Sequence, residues 1–152
     1  MAQKKIIKVN AIKHGTVIDH ITAGKILKVI DILNLTGDNS VMVGMNLASN
    51  KIGKKDIIKI ENRELSKQEV NSIALIAPSA TLIIIKDFEV VQKSSLDMPE
   101  YIEEHIICPN PKCITNSEEI PSKYYIHNSK IATARCLYCE KKYLVEDLKI
   151  KI

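Results

Sequence analysis

The 152-residue chain has no tryptophan, one phenylalanine and five tyrosines, so a surface that stacks nucleic-acid bases on aromatic rings has little to build with. No run of about 18 uncharged apolar residues occurs, which leaves no candidate for a helical membrane span. Neither a G-x-x-x-x-G-K-[ST] loop nor a G-x-G-x-x-G turn can be read anywhere, so a glycine-rich phosphate loop is excluded and any nucleotide site must use side chains on a sheet and its loops. A large charge excess is missing as well. The 22 Lys+Arg and 18 Asp+Glu give +4, of which residues 1–100 hold +3 (14 against 11) and residues 101–152 hold +1 (8 against 7). Neither part resembles a generic polyanion binder. There is no internal repeat or low-complexity tract. Met1–Asn10 mixes Lys4, Lys5 and Lys8 with Ile6, Ile7 and Val9 without an apolar block ending in small residues, which leads us to expect a cytoplasmic protein.

Hydrophobic residues make up 45% and charged residues 26%, a mixture able to offset the ordering entropy of folding. Cysteine is absent up to Ile107, and all four cysteines fall between Cys108 and Cys139. The polar, aperiodic segment Lys93–Glu100 separates the two parts and contains Pro99, which disfavours helix before it. The expected domains are residues 1–98 and 99–152. In the first, Lys5–Ile12 alternates as a strand, Thr22 is placed to cap a helix carrying Ile26, Val29, Ile30 and Leu33, and Gly37 stops it. Strands follow at Ser40–Leu47 and Asp56–Glu61, with Gly53 in the turn. Ser66-Lys67-Gln68-Glu69 has the spacing of a capping box before a helix with Val70, Ile73, Ala74 and Ala77 on one face, closed by Pro78. Thr81–Ile85 and Phe88–Val91 complete the domain as strands. The order predicts an α+β fold of ferredoxin-like type, a sheet covered by helices on one face only, followed by a small all-β zinc domain.

Cys108-Pro-Asn-Pro-Lys-Cys113 and Cys136-Leu-Tyr-Cys139 form two short knuckles 22 residues apart. Each can turn tightly enough to aim two thiolates at one ion about 2.3 Å away, so the pattern predicts a single tetrahedral Zn(Cys)₄ site. Four thiolates leave no open position for a reactive water, which makes the metal structural. Residues 99–152 are too few for a large core, so zinc is expected to supply folding energy that Ile107, Ile114, Tyr125, Ile131, Leu137 and Val145 cannot. His105 and His127 read as surface or loop residues.

In the first domain, Ile12–Ile21 reads as a loop joining the first strand to the first helix, and it gathers Lys13, His14, Asp19 and His20. Alternation puts Lys55, Ile57, Lys59 and Glu61 on one strand face, and Lys93 ends the last strand. Individually these are ordinary solvated charges. Together the lysines are able to neutralise a polyphosphate, with Asp19 as an acceptor for ribose hydroxyls.

The segments "VNAIKHGTVIDHI", "GKKDIIKIEN", "LSKQEV" with "LIAPSAT", "EVVQKS", "CPNPKCI" and "CLYCEK", taken in order, resemble the regulatory chain of aspartate carbamoyltransferase over nearly the whole sequence. The resemblance implies a non-catalytic subunit of pyrimidine biosynthesis. Its N-terminal domain would bind nucleoside triphosphates such as CTP, ATP and UTP and pair two regulatory chains, while its C-terminal zinc domain would dock on catalytic trimers. It further implies base contacts at Val9, Ala11, Ile12, Phe88 and Val90, ribose contacts at Asp19 and Lys59, and phosphate contacts at His20 and Lys93, with Lys13 and Lys55 nearby. Zinc would be held by Cys108, Cys113, Cys136 and Cys139. The catalytic chain would meet Asn110, Lys112, Tyr138, Glu140 and Lys141. Two other readings compete: a zinc-ribbon protein that binds nucleic acid, which the scarcity of aromatics weakens, and a zinc enzyme, which needs an open metal position and a nearby general base.

Overall fold

The computed structural model describes residues 11–150. The first domain is built from β1 (Gly15–Thr22), α1 (Ile26–Leu33), β2 (Val41–Ser49), β3 (Gly53–Glu61), α2 (Lys67–Ile76), β4 (Thr81–Lys86) and β5 (Glu89–Ser95). Its sheet has the order β2-β3-β1-β4-β5 with every pairing antiparallel. Ile18, Ile58, Ile60, Val29, Leu33 and Ile73 form the core between the sheet and its two helices. Parity within β3 explains this: Ile58 and Ile60 point to the helices and are buried, while Ile57, Lys59 and Glu61 point to the opposite face.

The strand expected at Lys5–Ile12 lies mostly outside the described residues, and Ala11 and Ile12 belong to no strand. The segment read as a connecting loop contains β1, the central strand of the sheet. Its period breaks at a bulge, where the register against β3 jumps between Ile18 and Ile21 and His20 adopts φ 55°. That break hides the alternation. Gly15 starts the strand because nothing larger fits: at φ 149° a Cβ there would sit on the Ile60 carbonyl oxygen.

The helices divide between expectation and correction. At α2 the capping box is complete, with the Ser66 hydroxyl accepting from the Glu69 amide and the Glu69 carboxylate accepting from the Ser66 amide. At α1 Thr22 is not the cap; Lys25 occupies that position and contributes no side-chain bond. The carboxylate of Asp56, reaching from β3, accepts instead from the amides of Gly24 at 2.8 Å and Ile26 at 3.3 Å. Its other oxygen accepts from the Asn46 amide at 2.8 Å. One buried side chain thus satisfies a helix start and the bulge of β2. The helix ends at Leu33, where left-handed Asn34 closes it before Gly37 is reached.

The second domain contains β6 (Tyr101–Glu103), β7 (Ile106–Ile107), α3 (Ile114–Ser117), β8 (Lys123–His127), β9 (Thr133–Cys136), β10 (Lys142–Leu144) and β11 (Lys149–Ile150). A sheet of order β10-β9-β8-β6 carries most of it, and β7 pairs with β11. Its core differs from the expected one. Ile107, Ile114, Tyr125, Ile131 and Leu137 are exposed, and Val145 only borders the core. Ile102, Ile106, Tyr124, Ile126, Ala134, Leu148 and three of the cysteines are buried in their place. Ile106 for Ile107 and Tyr124 for Tyr125 is a slip of one residue, which in a strand exchanges the two faces. Leu75 of α2 completes this core, and Ser72 bonds His105 through Oγ and Nδ1 at 3.0 Å. In return Ile150 packs on the core of the first domain.

Candidate functional site

The four cysteine sulfurs lie within 4.8 Å of one another. Cys108 and Cys139 are 3.7 Å apart and Cys113 and Cys136 are 3.8 Å apart. A tetrahedron with ligands about 2.3 Å from its centre has edges of about 3.8 Å, so these separations suit Zn²⁺ and are far too long for a disulfide. Local turns hold the sulfurs in place. In the first knuckle the Asn110 carboxamide oxygen accepts from the Lys112 amide, and its carbonyl from the Cys113 amide. Asn116 donates to the carbonyls of Cys108 and Asn110. In the second, the Cys136 carbonyl accepts from the Glu140 amide, with Glu140 left-handed at φ 62°.

Burial dominates the electrostatics of the thiols. Burial pushes Cys136 up to about 12 despite bonds from the Cys139 and Tyr138 amides. Burial also raises Cys108, against a bond from the Asn110 amide. At Cys139 burial acts upward too, but the Lys141 amide and the Asn110 side chain outweigh it and bring the thiol down to about 7. Four thiolates gathered without a counter-ion would repel; a divalent cation balances them and fits this donor set, with no position left for a reactive water. Around the cage Lys112, Tyr138, Glu140 and Lys141 are exposed and Asn110 is half-buried, beside exposed Ile114 and Leu137.

The other candidate site lies on the sheet face turned away from the helices. Register aligns Lys93, Ile83, Val17, Lys59 and Met42 in one row across all five strands. Lys59 and Lys93 are three strand spacings apart, about 14 Å. Among the described residues neither has an ion-pair partner. Asp19 stands two residues along β1 from Val17. Its Oδ1 accepts from Lys55 Nζ at 2.8 Å and from the His20 amide at 2.7 Å. Burial raises the Asp19 carboxyl, but the Lys55 and His20 bonds overcome this and leave it below the usual carboxylate range. The His20 ring is held by Thr81 at 3.0 Å.

A cleft of about 450 Å³ borders this face, lined by Ile12, Lys13, Met42, Lys59 and Phe88 among others. Phe88 is not in a strand. With Asp87 it makes the two-residue turn between β4 and β5, both at positive φ (50° and 65°), and the residue is 63% exposed. Val90 is exposed on β5. Val9 lies outside the described residues. Asp19, Lys55 and Lys59 are therefore neighbours on one sheet face, Lys93 shares a row with Lys59, and Ala11, Ile12, Lys13 and Phe88 gather at the cleft. Asp56 and Tyr124 were missed by sequence reasoning, although both share parity with buried isoleucines of their own strands, Ile58 and Ile126.

Comparison with known proteins finds a family model for each part of the chain. The family model for the aspartate carbamoyltransferase regulatory chain, allosteric domain, matches residues 7–97, and that for the metal binding domain of the same chain matches residues 100–149. The aspartate carbamoyltransferase regulatory chain of Pyrococcus abyssi is 50% identical over 145 residues, covering 93% of this chain and 95% of that one. The regulatory chain of Thermococcus sibiricus is 49% identical over 147 residues (97% of each), and that of Methanosphaera stadtmanae 45% over 148 residues (96% and 97%). With an allosteric domain, a four-cysteine metal domain and this identity over almost its full length, the chain belongs to the family of aspartate carbamoyltransferase regulatory chains, non-catalytic subunits of that enzyme.

Proposed function

We propose that the chain senses nucleoside triphosphates, among them CTP, ATP and UTP, on the helix-free face of its five-stranded sheet, and that it docks through its zinc knuckles on catalytic trimers. The observation that carries this reading is the pair Lys59 and Lys93, two cationic heads on one register row without ion-pair partners among the described residues. Triphosphate charge would gather at Lys93 with His20, ribose hydroxyls at Asp19 and Lys59, and the base at Ala11, Ile12, Phe88 and Val90, with Lys13 and Lys55 flanking. The arrangement β-α-β-β-α-β with order β2-β3-β1-β4 supports the ferredoxin-like assignment, and β5 extends the sheet by a hairpin.

Two surfaces fit the partners. The edge strand β2 exposes Val41, Val43, Met45 and Leu47, an unpaired apolar edge suited to a second copy of this chain. Ile114, Leu137 and Tyr138, ringed by Lys112, Glu140 and Lys141, make a mixed apolar and charged patch for the catalytic chain. Control by linkage needs only that a nucleotide bind one quaternary state more tightly than another, typically by about 1 to 3 kcal/mol. We place the domain division at residues 98 and 99, and α2 bridges it through Leu75 and Ser72. A role in cytoplasmic pyrimidine synthesis follows from the family. No helix among the described residues is long and apolar enough to cross a membrane.

The test mixes zinc-loaded chain with its host's catalytic trimer and measures assembly mass and the aspartate saturation curve with CTP and with ATP. An increase in mass with a nucleotide-dependent curve is expected; an unchanged trimer mass ends the docking reading. For the site itself, Lys93→Ala is expected to weaken triphosphate binding at least about tenfold at unchanged unfolding temperature. Equal affinities in wild type and variant remove Lys93 from the site.

A further inference from the structure

The phenol of Tyr124 is fully buried, and its hydroxyl is the one buried side-chain oxygen or nitrogen among the described residues without a hydrogen-bond partner. Sealing a hydroxyl from water without a partner costs about 1 to 3 kcal/mol, so such a group calls for an explanation. Its surroundings supply one. Tyr124 on β8 pairs directly with Cys136 on β9, so both side chains project from the same sheet face. Tyr124 and Cys108 belong to the same buried cluster, together with Cys113 and Cys136.

The cage has a charge to settle. Four thiolates and one Zn²⁺ sum to −2, and this charge sits where three of the four cysteines are buried. Donors to sulfur are how such a charge is held away from water. Cys139 has the Lys141 amide and the Asn110 side chain, Cys136 has the amides of Tyr138 and Cys139, and Cys113 has the Thr115 hydroxyl at 3.2 Å. Cys108 has the Asn110 amide alone among backbone donors. We propose that Tyr124 is a positioning residue of the metal centre, its buried O–H donating to the Cys108 thiolate of the zinc-loaded chain. A thiol is a weak acceptor and a thiolate a strong one, so the hydroxyl gains its partner when the metal arrives. No bond is made or broken other than this hydrogen bond; the proton stays on the phenol.

The inference rests on the metal reading of the cage and is independent of the nucleotide reading. Tyr124→Phe keeps the ring and removes only the donor. In the full-length chain, competition with a zinc chelator is expected to show about tenfold weaker zinc binding in the variant, with the thermal unfolding of the zinc-loaded form still cooperative. Replacing zinc by an NMR-active cadmium isotope gives a second measurement on the wild type. A slowly exchanging hydroxyl proton correlated with the metal is expected, and it should be missing from Tyr124→Phe. Zinc affinity unchanged by the substitution, with no such proton in the wild type, overturns the proposal while leaving the metal centre intact. If Tyr124→Phe does not fold, the cadmium-loaded wild type decides alone. A chain that binds neither metal refutes both the cage and the proposal.

Discussion

Leu75 belongs by sequence to the first domain and by packing to the second, which makes its truncation a direct test of how the two are joined. Leu75→Ala removes about three carbon groups, which at ~0.8 kcal/mol each amounts to ~2.4 kcal/mol of lost burial. The hole left behind adds to this, and Leu→Ala changes in cores span about 2 to 5 kcal/mol. Leu75 also borders a hollow of about 420 Å³ between α1, α2 and the second domain, so neighbours can relax and the expected loss is about 3 kcal/mol. The readout is unusually clean. The chain has no Trp, and its five tyrosines, Tyr101, Tyr124, Tyr125, Tyr138 and Tyr143, all belong to the second domain. Tyrosine emission during urea unfolding therefore reports that domain alone. With a denaturant slope of about 1.5 kcal/mol/M, the tyrosine midpoint should fall by about 2 M. If the tyrosine midpoint stays within about 0.3 M while far-ultraviolet dichroism shows the first domain destabilised, Leu75 does not couple them and the shared core is refuted.

Further outcomes follow from the same geometry. Asp56→Ala strips the acceptor from the Gly24, Ile26 and Asn46 amides and should cost about 3 to 4 kcal/mol, with Asp56→Asn recovering part of it; a loss below about 1 kcal/mol in calorimetry contradicts the bonding described. Gly15→Ala should prevent β1 from approaching Ile60 and yield mostly unfolded protein in heteronuclear NMR, whereas a native spectrum contradicts that close approach. Asp19, whose carboxyl is held low in the fold, stabilises above the unfolded value of 3.8 and loses that contribution as pH falls through its lower folded value. Stability measured from about pH 5 down to pH 2 should therefore decline less steeply in Asp19→Asn than in wild type. Stripping zinc with a mercurial should abolish the tyrosine-reported transition while leaving α1 and α2 helical; a transition that survives without metal contradicts the folding role given to the cage.

How much was legible depends on whether the determining interaction is local. The capping box at Ser66–Glu69 and the two cysteine knuckles are short-range patterns, and each appears where the sequence places it. β1 was hidden because its bulge puts Asp19 and His20 in succession and breaks the period of two. The start of α1 was misassigned because its cap comes from Asp56, about thirty residues away, and no local rule can see that. The second core was read one residue out of phase: in Ile106-Ile107 and Tyr124-Tyr125 both neighbours are apolar or aromatic, so composition alone cannot choose the inward member. Of the charged sheet face, the residue types were legible; the row shared by Lys59 and Lys93 needed the strand order.

The exchange of Leu75 for Ile150 across the junction carries a lesson for anyone building chimeras. A cut near Pro99 would leave a void on both sides of the scissors. Hybrids between relatives should succeed only where α2 and the chain's last strand are transplanted as a matched set, like the two halves of a buckle.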